Sequence, residues 1–136
     1  MNKLVVFWAE DAIFVLLLVL PGLWFTGQRK LAWTAGLSGG LAWLVSKFIK
    51  DFFYFHRPFP LRLMDGSLPS LHTAVAFAIS FACFRRLPKF GLALLLLSGG
   101  IGVSRVITGV HYPMDVLAGA GLGMAAAWVL DSYHSR

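Results

Sequence analysis

Lysine, arginine, serine, histidine and aspartate recur in three short stretches whose spacing bears on chemistry. Lys50 precedes Arg57-Pro58 by six intervening residues, Pro69-Ser70-Leu71-His72 follows, and Ser104-Arg105 leads after five more residues to His111 and then Asp115. Lys50, Arg57 and Arg105 suit a group with several anionic oxygens, because guanidinium forks supply paired donors to phosphate and an ammonium supplies a compact charge. Ser70 follows a proline and directly precedes an apolar run, which predicts a helix N-cap. The free amides and positive dipole end of that helix would point at an anion. His111 and Asp115, at i and i+4, share a helix face. A carboxylate beside one imidazole nitrogen fixes the tautomer and leaves the other nitrogen as a nucleophile. His72 then serves as the donor to a leaving oxygen.

Positioning these groups falls to the apolar runs between them. Of 136 residues, 58% are hydrophobic and 13% charged, with a mean hydropathy of +0.75. A soluble domain carries about 25% charged residues, so much of this surface is expected to meet lipid. About 20 apolar residues rising ~1.5 Å each cross a hydrocarbon layer. Five runs approach that length, at residues 12–25, 31–49, 71–87, 90–106 and 113–130. Glu10 and Asp11 precede the first run and Gln28-Arg29-Lys30 follow it, the reverse of a cleaved signal peptide, so it reads as a retained span. The expected fold is an all-α integral-membrane bundle of about five helices, forming one domain over residues 1–136. The pairs Gly36/Gly40 and Gly119/Gly123 are spaced for close helix packing. Trp8, Trp24, Trp33 and Trp128 lie near run ends, where indole favours the interface, whereas Trp43 lies inside its run and is expected to pack. Cys83 is the single cysteine, which excludes an intrachain disulfide; its apolar surroundings predict a buried, inert thiol.

The connectors sort by charge. Arg29 and Lys30 lie between the first two runs, Arg85, Arg86 and Lys89 between the third and fourth, and Arg136 ends the chain. Five spans put all of these on one side, which the positive-inside rule makes cytoplasmic. The candidate site residues then share the extracytoplasmic face. The formal charge of +6 is divided among short clusters with no continuous basic stripe, which argues against a nucleic-acid partner. No stretch has the composition of a metal site, and three cations would repel a divalent ion, so neither a metal nor another cofactor is expected.

The three stretches resemble the motifs of the type 2 phosphatidic acid phosphatase superfamily, which also includes vanadium haloperoxidases and glucose-6-phosphatase. The first family motif, K-x6-R-P, matches Lys50 to Pro58; the second, P-S-x-H, matches Pro69 to His72; the third, S-R-x5-H-x3-D, matches Ser104 to Asp115. Together they cover about half the chain, from Lys50 to Asp115. The resemblance implies a phosphate pocket of Lys50, Arg57, Ser70, the Leu71 amide and Arg105. It implies His111 as nucleophile, Asp115 as its partner and His72 as general acid. Leu71 stands where glycine is common, and Phe55-His56 stand where many bacterial members carry a further Arg-Pro pair. The small size and the third motif look most like bacterial undecaprenyl-diphosphatases of the bacitracin-resistance type. That likeness implies a lipid diphosphate substrate in the cell membrane.

Other polar residues have plainer readings. Lys47 is expected to snorkel, Arg62 to anchor to headgroups, His56 to be a solvated loop histidine and His134 to lie in a polar tail. Glu10 and Asp11 are expected to cap the first span, although Asp115 also fits a simple helix N-terminal charge. Phe52, Phe53, Tyr54, Phe55 and Phe59 suit interfacial anchoring, and a share of them would suit an entrance for a lipid chain.

Overall fold

A lipid-facing bundle is recognised by an inverted surface, and this chain has one. Phe14, Leu18, Phe25, Leu44, Leu96 and Leu117 are exposed, while Ser38, Ser46, Ser80 and Ser98 are wholly buried. The computed structural model describes residues 2–54, 56, 58 and 66–134. Among them the regular elements are helices: α1 (Lys3–Glu10), α2 (Ala12–Leu17), α3 (Val19–Phe25), α4 (Arg29–Phe52), α5 (Leu71–Arg86), α6 (Pro88–Ile107) and α7 (Pro113–His134). They match the five expected runs, with α2 and α3 sharing the first and α1 added ahead of it.

The centre of the bundle is α5, packed against α4, α6 and α7. Its Ala74, Ala76, Ala78 and Ala82 are fully buried, and their small size lets neighbouring backbones approach. The closest approach is to α7. A Cβ on Gly119 would lie 2.6 Å from the Ser70 carbonyl oxygen, and one on Gly123 would overlap the Ala74 carbonyl. The Gly119/Gly123 expectation therefore holds. The Gly36/Gly40 expectation does not: Gly40 has open space beside it and Gly36 only the tip of Leu20, whereas Gly39 faces Ile79 and Val75 of α5. The helix turns its 39 face, not its 36/40 face, to the core.

By length and apolarity, α6 and α7 can each cross a membrane, and α1 with Ala12–Phe25 forms a third candidate bent by 47°. The other two rods are less apolar for a physical reason. Between them, α4 and α5 bury Thr34, Ser38, Ser46, Lys50, Thr73 and Ser80. The 16 residues of α5 extend about 24 Å, short of a ~30 Å hydrocarbon layer. A helix enclosed by three others does not need the apolar surface that lipid demands. Three of the buried hydroxyls find partners: those of Ser80 and Ser98 bond to each other at 2.8 Å, and Ser38 donates to the Thr34 carbonyl at 2.6 Å.

The indoles partly follow expectation. Trp24 and Trp33 meet edge to face at the α3–α4 junction, with the Arg29 guanidinium over Trp24. Trp8 instead packs on α6 at Gly100. Trp43 is exposed on the outer face of α4 rather than packed. Cys83 is fully buried. At the α3–α4 end of the bundle, Asp131 accepts from Arg85 Nε at 2.6 Å and from Arg86 Nε at 2.8 Å, joining the ends of α5 and α7.

Candidate active site

The link between α6 and α7 is built around the Arg105 carbonyl, which accepts the N–H groups of Val110 and His111, both at 3.2 Å. That reversal needs Gly109, whose φ of 73° lies in the left-handed region that glycine adopts without a Cβ penalty. As a result the His111 ring lies beside the Arg105 side chain. Nε2 of His111 is 3.4 Å from Arg105 Nη2, and its Nδ1 is 3.4 Å from Asp115 Oδ2. A guanidinium only donates and a carboxylate only accepts. The favoured tautomer therefore carries its proton on Nδ1, toward Asp115, and directs the Nε2 lone pair toward the cation.

Asp115 has a second task. Its Oδ2 accepts the Tyr112 N–H at 2.8 Å. Pro113 opens α7, so Asp115 stands on the first turn and reaches back to the residue before the helix, half of a capping box. The oxygen that accepts the Tyr112 N–H at the helix end is thus the same one that lies 3.4 Å from His111 Nδ1.

The Asp115 backbone carbonyl also accepts the Ser70 N–H at 2.9 Å, which locks the second stretch onto the third. Ser70 occupies the N-cap position of α5 as expected, but its side chain does not cap the backbone. Its hydroxyl pairs instead with Thr73 Oγ1 at 2.9 Å. The first intrahelical bond runs from Ala74 N–H to the Ser70 carbonyl. The amides of Leu71 to Thr73 therefore lie at the positive end of α5. Leu71 and His72 are half-buried on that first turn.

Lys50, in the last turn of α4, does not snorkel. It is buried, and its Nζ donates to the Gly66 carbonyl at 2.9 Å, which ties the first stretch to the segment leading into Ser70. Lys47 does behave as a surface residue, pairing with Asp51 at 2.8 Å. His56 is exposed and meets Tyr54 edge to face. Arg57, Arg62, Phe55 and Phe59 lie outside the described residues. Glu10 and Asp11 are exposed; Asp11 makes no side-chain cap on α2, whereas Asn2 caps α1 by accepting the Leu4 N–H.

Direct contacts therefore join Ser70, Arg105, His111 and Asp115, and Lys50 is attached through Gly66. Of the buried ionisable groups at this end, Lys50 and Arg105 are cationic and Asp115 is the carboxylate. Low dielectric amplifies that positive excess toward an incoming anion. Three contributors have no signature in the sequence: the Gly66 carbonyl, the Thr73 hydroxyl and the Ala9 carbonyl, which accepts from Arg105 Nη1 at 2.9 Å. Ser46 and Ser67 are buried hydroxyls that meet no hydrogen-bond partner among the described residues. Among the described residues no three His, Cys, Asp or Glu side chains gather as a metal site would require.

Comparison with known proteins bears on this arrangement directly. The undecaprenyl-diphosphatase BcrC of Bacillus subtilis (strain 168) is 36% identical over 129 residues, which cover 86% of this chain and 66% of that protein. The bacitracin transport permease protein BcrC of Bacillus licheniformis is 33% identical over 139 residues, covering 93% of this chain and 68% of its own length. The chain thus spans about two thirds of these relatives. The crystal structure of Aquifex aeolicus LpxE superposes with a TM-score of 0.81 at 27% identity, covering 98% of this chain and 88% of that one. The PAP2 superfamily model matches residues 31–136, from the start of α4 through α7 and so across all three motif stretches. The chain belongs to the PAP2 superfamily and is an integral-membrane lipid phosphatase.

Proposed function

We propose that this chain hydrolyses undecaprenyl diphosphate, or a related prenyl diphosphate, to the monophosphate through a phosphohistidine on Nε2 of His111. The observation that carries the reading is the placement of that nitrogen, which faces Arg105 while Nδ1 faces Asp115. In the first half-reaction the Nε2 lone pair attacks the terminal phosphorus, and the bond from phosphorus to the bridging oxygen breaks. His72 gives its proton to that departing oxygen, releasing the lipid monophosphate. In the second, His72 takes a proton from water, the water oxygen attacks phosphorus, and the P–N bond breaks to release inorganic phosphate. Lys50, Arg57, Ser70, the Leu71 amide and Arg105 hold the non-bridging oxygens, whose charge they are suited to stabilise as the transition state forms. The catalytic end is assigned to the extracytoplasmic face of the cell membrane, because Arg29, Lys30, Arg85 and Arg86 gather at the other end. No metal is assigned a role.

The test is phosphate release by purified protein from a panel of prenyl diphosphates, phosphatidic acid, phosphatidylglycerophosphate and lipid A phosphate in matched detergent. Prenyl diphosphates are expected to have the highest kcat/KM, turnover to survive exhaustive chelation, and vanadate to inhibit. A preference for a glycerolipid by about tenfold, ~1.4 kcal/mol in transition-state binding, transfers the assignment to that lipid. A permease would release no phosphate in detergent.

A further inference from the structure

At the end of the bundle remote from His111 lies a cavity of about 700 Å³, lined by Gln28, Lys30, Trp33, Thr34, Arg86 and His134. Three helix ends converge on it: the first turn of α4, the last turn of α5 and the last turn of α7. Each brings a basic or titratable side chain, Lys30, Arg86 and His134 in turn. Asp131 is the nearby buried carboxylate, and it is shared between Arg85 and Arg86, so it accounts for one of the two guanidinium charges. With Lys30 included, the cluster keeps a positive excess. Gln28 makes no side-chain cap on α4. The opening amides of this 24-residue helix therefore add donors and a positive dipole end on the same side. Nδ1 of His134 is 3.2 Å from the Leu130 carbonyl, which leaves Nε2 directed elsewhere. Trp24 and Trp33 are exposed here, marking the depth at which lipid headgroups sit.

We propose that this cavity binds a phosphate group at the end of the molecule opposite the reaction, held by Lys30, Arg86, His134 and the first turn of α4. A phosphate monoester or diester fits the donor set: one guanidinium, one ammonium, an imidazole, an amide side chain and the helix amides, with no carboxylate side chain among the described residues that line the cavity. Two sources share this chemistry, the headgroup of an anionic phospholipid and free inorganic phosphate. The site is separate from the catalytic one and stands whether or not the substrate is a prenyl diphosphate.

The full-length protein in neutral detergent would be titrated with short-chain phosphatidylglycerol, short-chain phosphatidylcholine or inorganic phosphate, with the thermal unfolding midpoint as the readout. Lys30→Gln and His134→Gln are compared with Lys89→Gln, an exposed basic position on α6 that does not line the cavity. Phosphatidylglycerol is expected to stabilise the wild type more than phosphatidylcholine. Both cavity variants should weaken its apparent affinity by about tenfold or more, with Lys89→Gln close to wild type. If inorganic phosphate stabilises the wild type equally and loses its effect in the same two variants, the site holds and the ligand is free phosphate. Equal weakening in all three variants would reduce the effect to general surface charge and overturn the proposal. So would stabilisation by neither anion.

Discussion

At the scale of single residues, the two histidines stand in different surroundings and should fail differently. His111 is buried between a guanidinium and a carboxylate, whereas His72 is half-buried on the opening turn of α5. His111→Ala should abolish phosphoenzyme with every substrate. His72→Ala should lose about 10²–10⁴-fold on a lipid substrate, where the leaving oxygen needs a proton. It should lose far less on p-nitrophenyl phosphate, and should still form acid-labile phosphohistidine. Equal losses on both substrates would assign His72 to binding instead. Asp115 permits a sharper dissection because one oxygen serves two neighbours. Asp115→Asn keeps an acceptor for the Tyr112 N–H but removes the charge beside His111, so activity should fall while the unfolding midpoint stays close to wild type. Asp115→Ala removes the helix-end bond as well and should also cost about 0.5–2 kcal/mol of stability. A midpoint lowered equally by both variants would mean that the charge, not the acceptor, holds the start of α7.

Among the helices, the decisive contact is that of α7 on α5. Gly123→Ala drives a methyl into the Ala74 carbonyl, and neither backbone has a flexible side chain to yield. Overpacking of this kind costs about 1–3 kcal/mol or more. Gly119→Ala would press on the Ser70 carbonyl and should lower activity more than its loss of stability explains. Gly40→Ala, with open space beside it, should leave the protein unchanged or raise stability by about 0.5–1 kcal/mol. Thermal midpoints of the three variants, with turnover per folded molecule, check the order. The same contrast shows what could be read in advance. The apolar runs announced their helices because the packed side and the lipid-facing side of a membrane helix are both largely apolar, which leaves long stretches almost without charge. Ser70, Arg105, His111 and Asp115 stood out as candidates because few residue types can bind or attack a phosphate, and the structure brings the four together. Gly36/Gly40 misled because spacing identifies a helix face but not which face turns inward. The Arg85–Asp131 pair was not legible because its members are separated by 46 positions and neither lies in a recognisable pattern. The Ala9 and Gly66 carbonyls were invisible because every residue has one.

For the molecule as a whole, the buried charged groups divide between two ends, with Lys50, Arg105 and Asp115 at the candidate site and Asp131 near the cavity lined by Lys30, Arg86 and His134. That division predicts sidedness in the membrane. In a Cys83→Ala background, His56→Cys and Gln28→Cys, both at exposed positions, should react with an impermeant thiol reagent from opposite sides of sealed cells. Labelling of both from outside would refute the arrangement. The bent N-terminal arm belongs to this larger design, because α1 packs on α6 and its Ala9 carbonyl bonds Arg105. A backbone carbonyl is common to all residues, so no exchange of side chains along α1 can delete that bond. Selection on it acts only through the length and pitch of the arm and through the small size of the buried residue 9. Trp8 stays tied to α6 at Gly100, so only the exposed positions of the arm are free to drift, and a change of one residue in its length would do what no point substitution on that exposed face can.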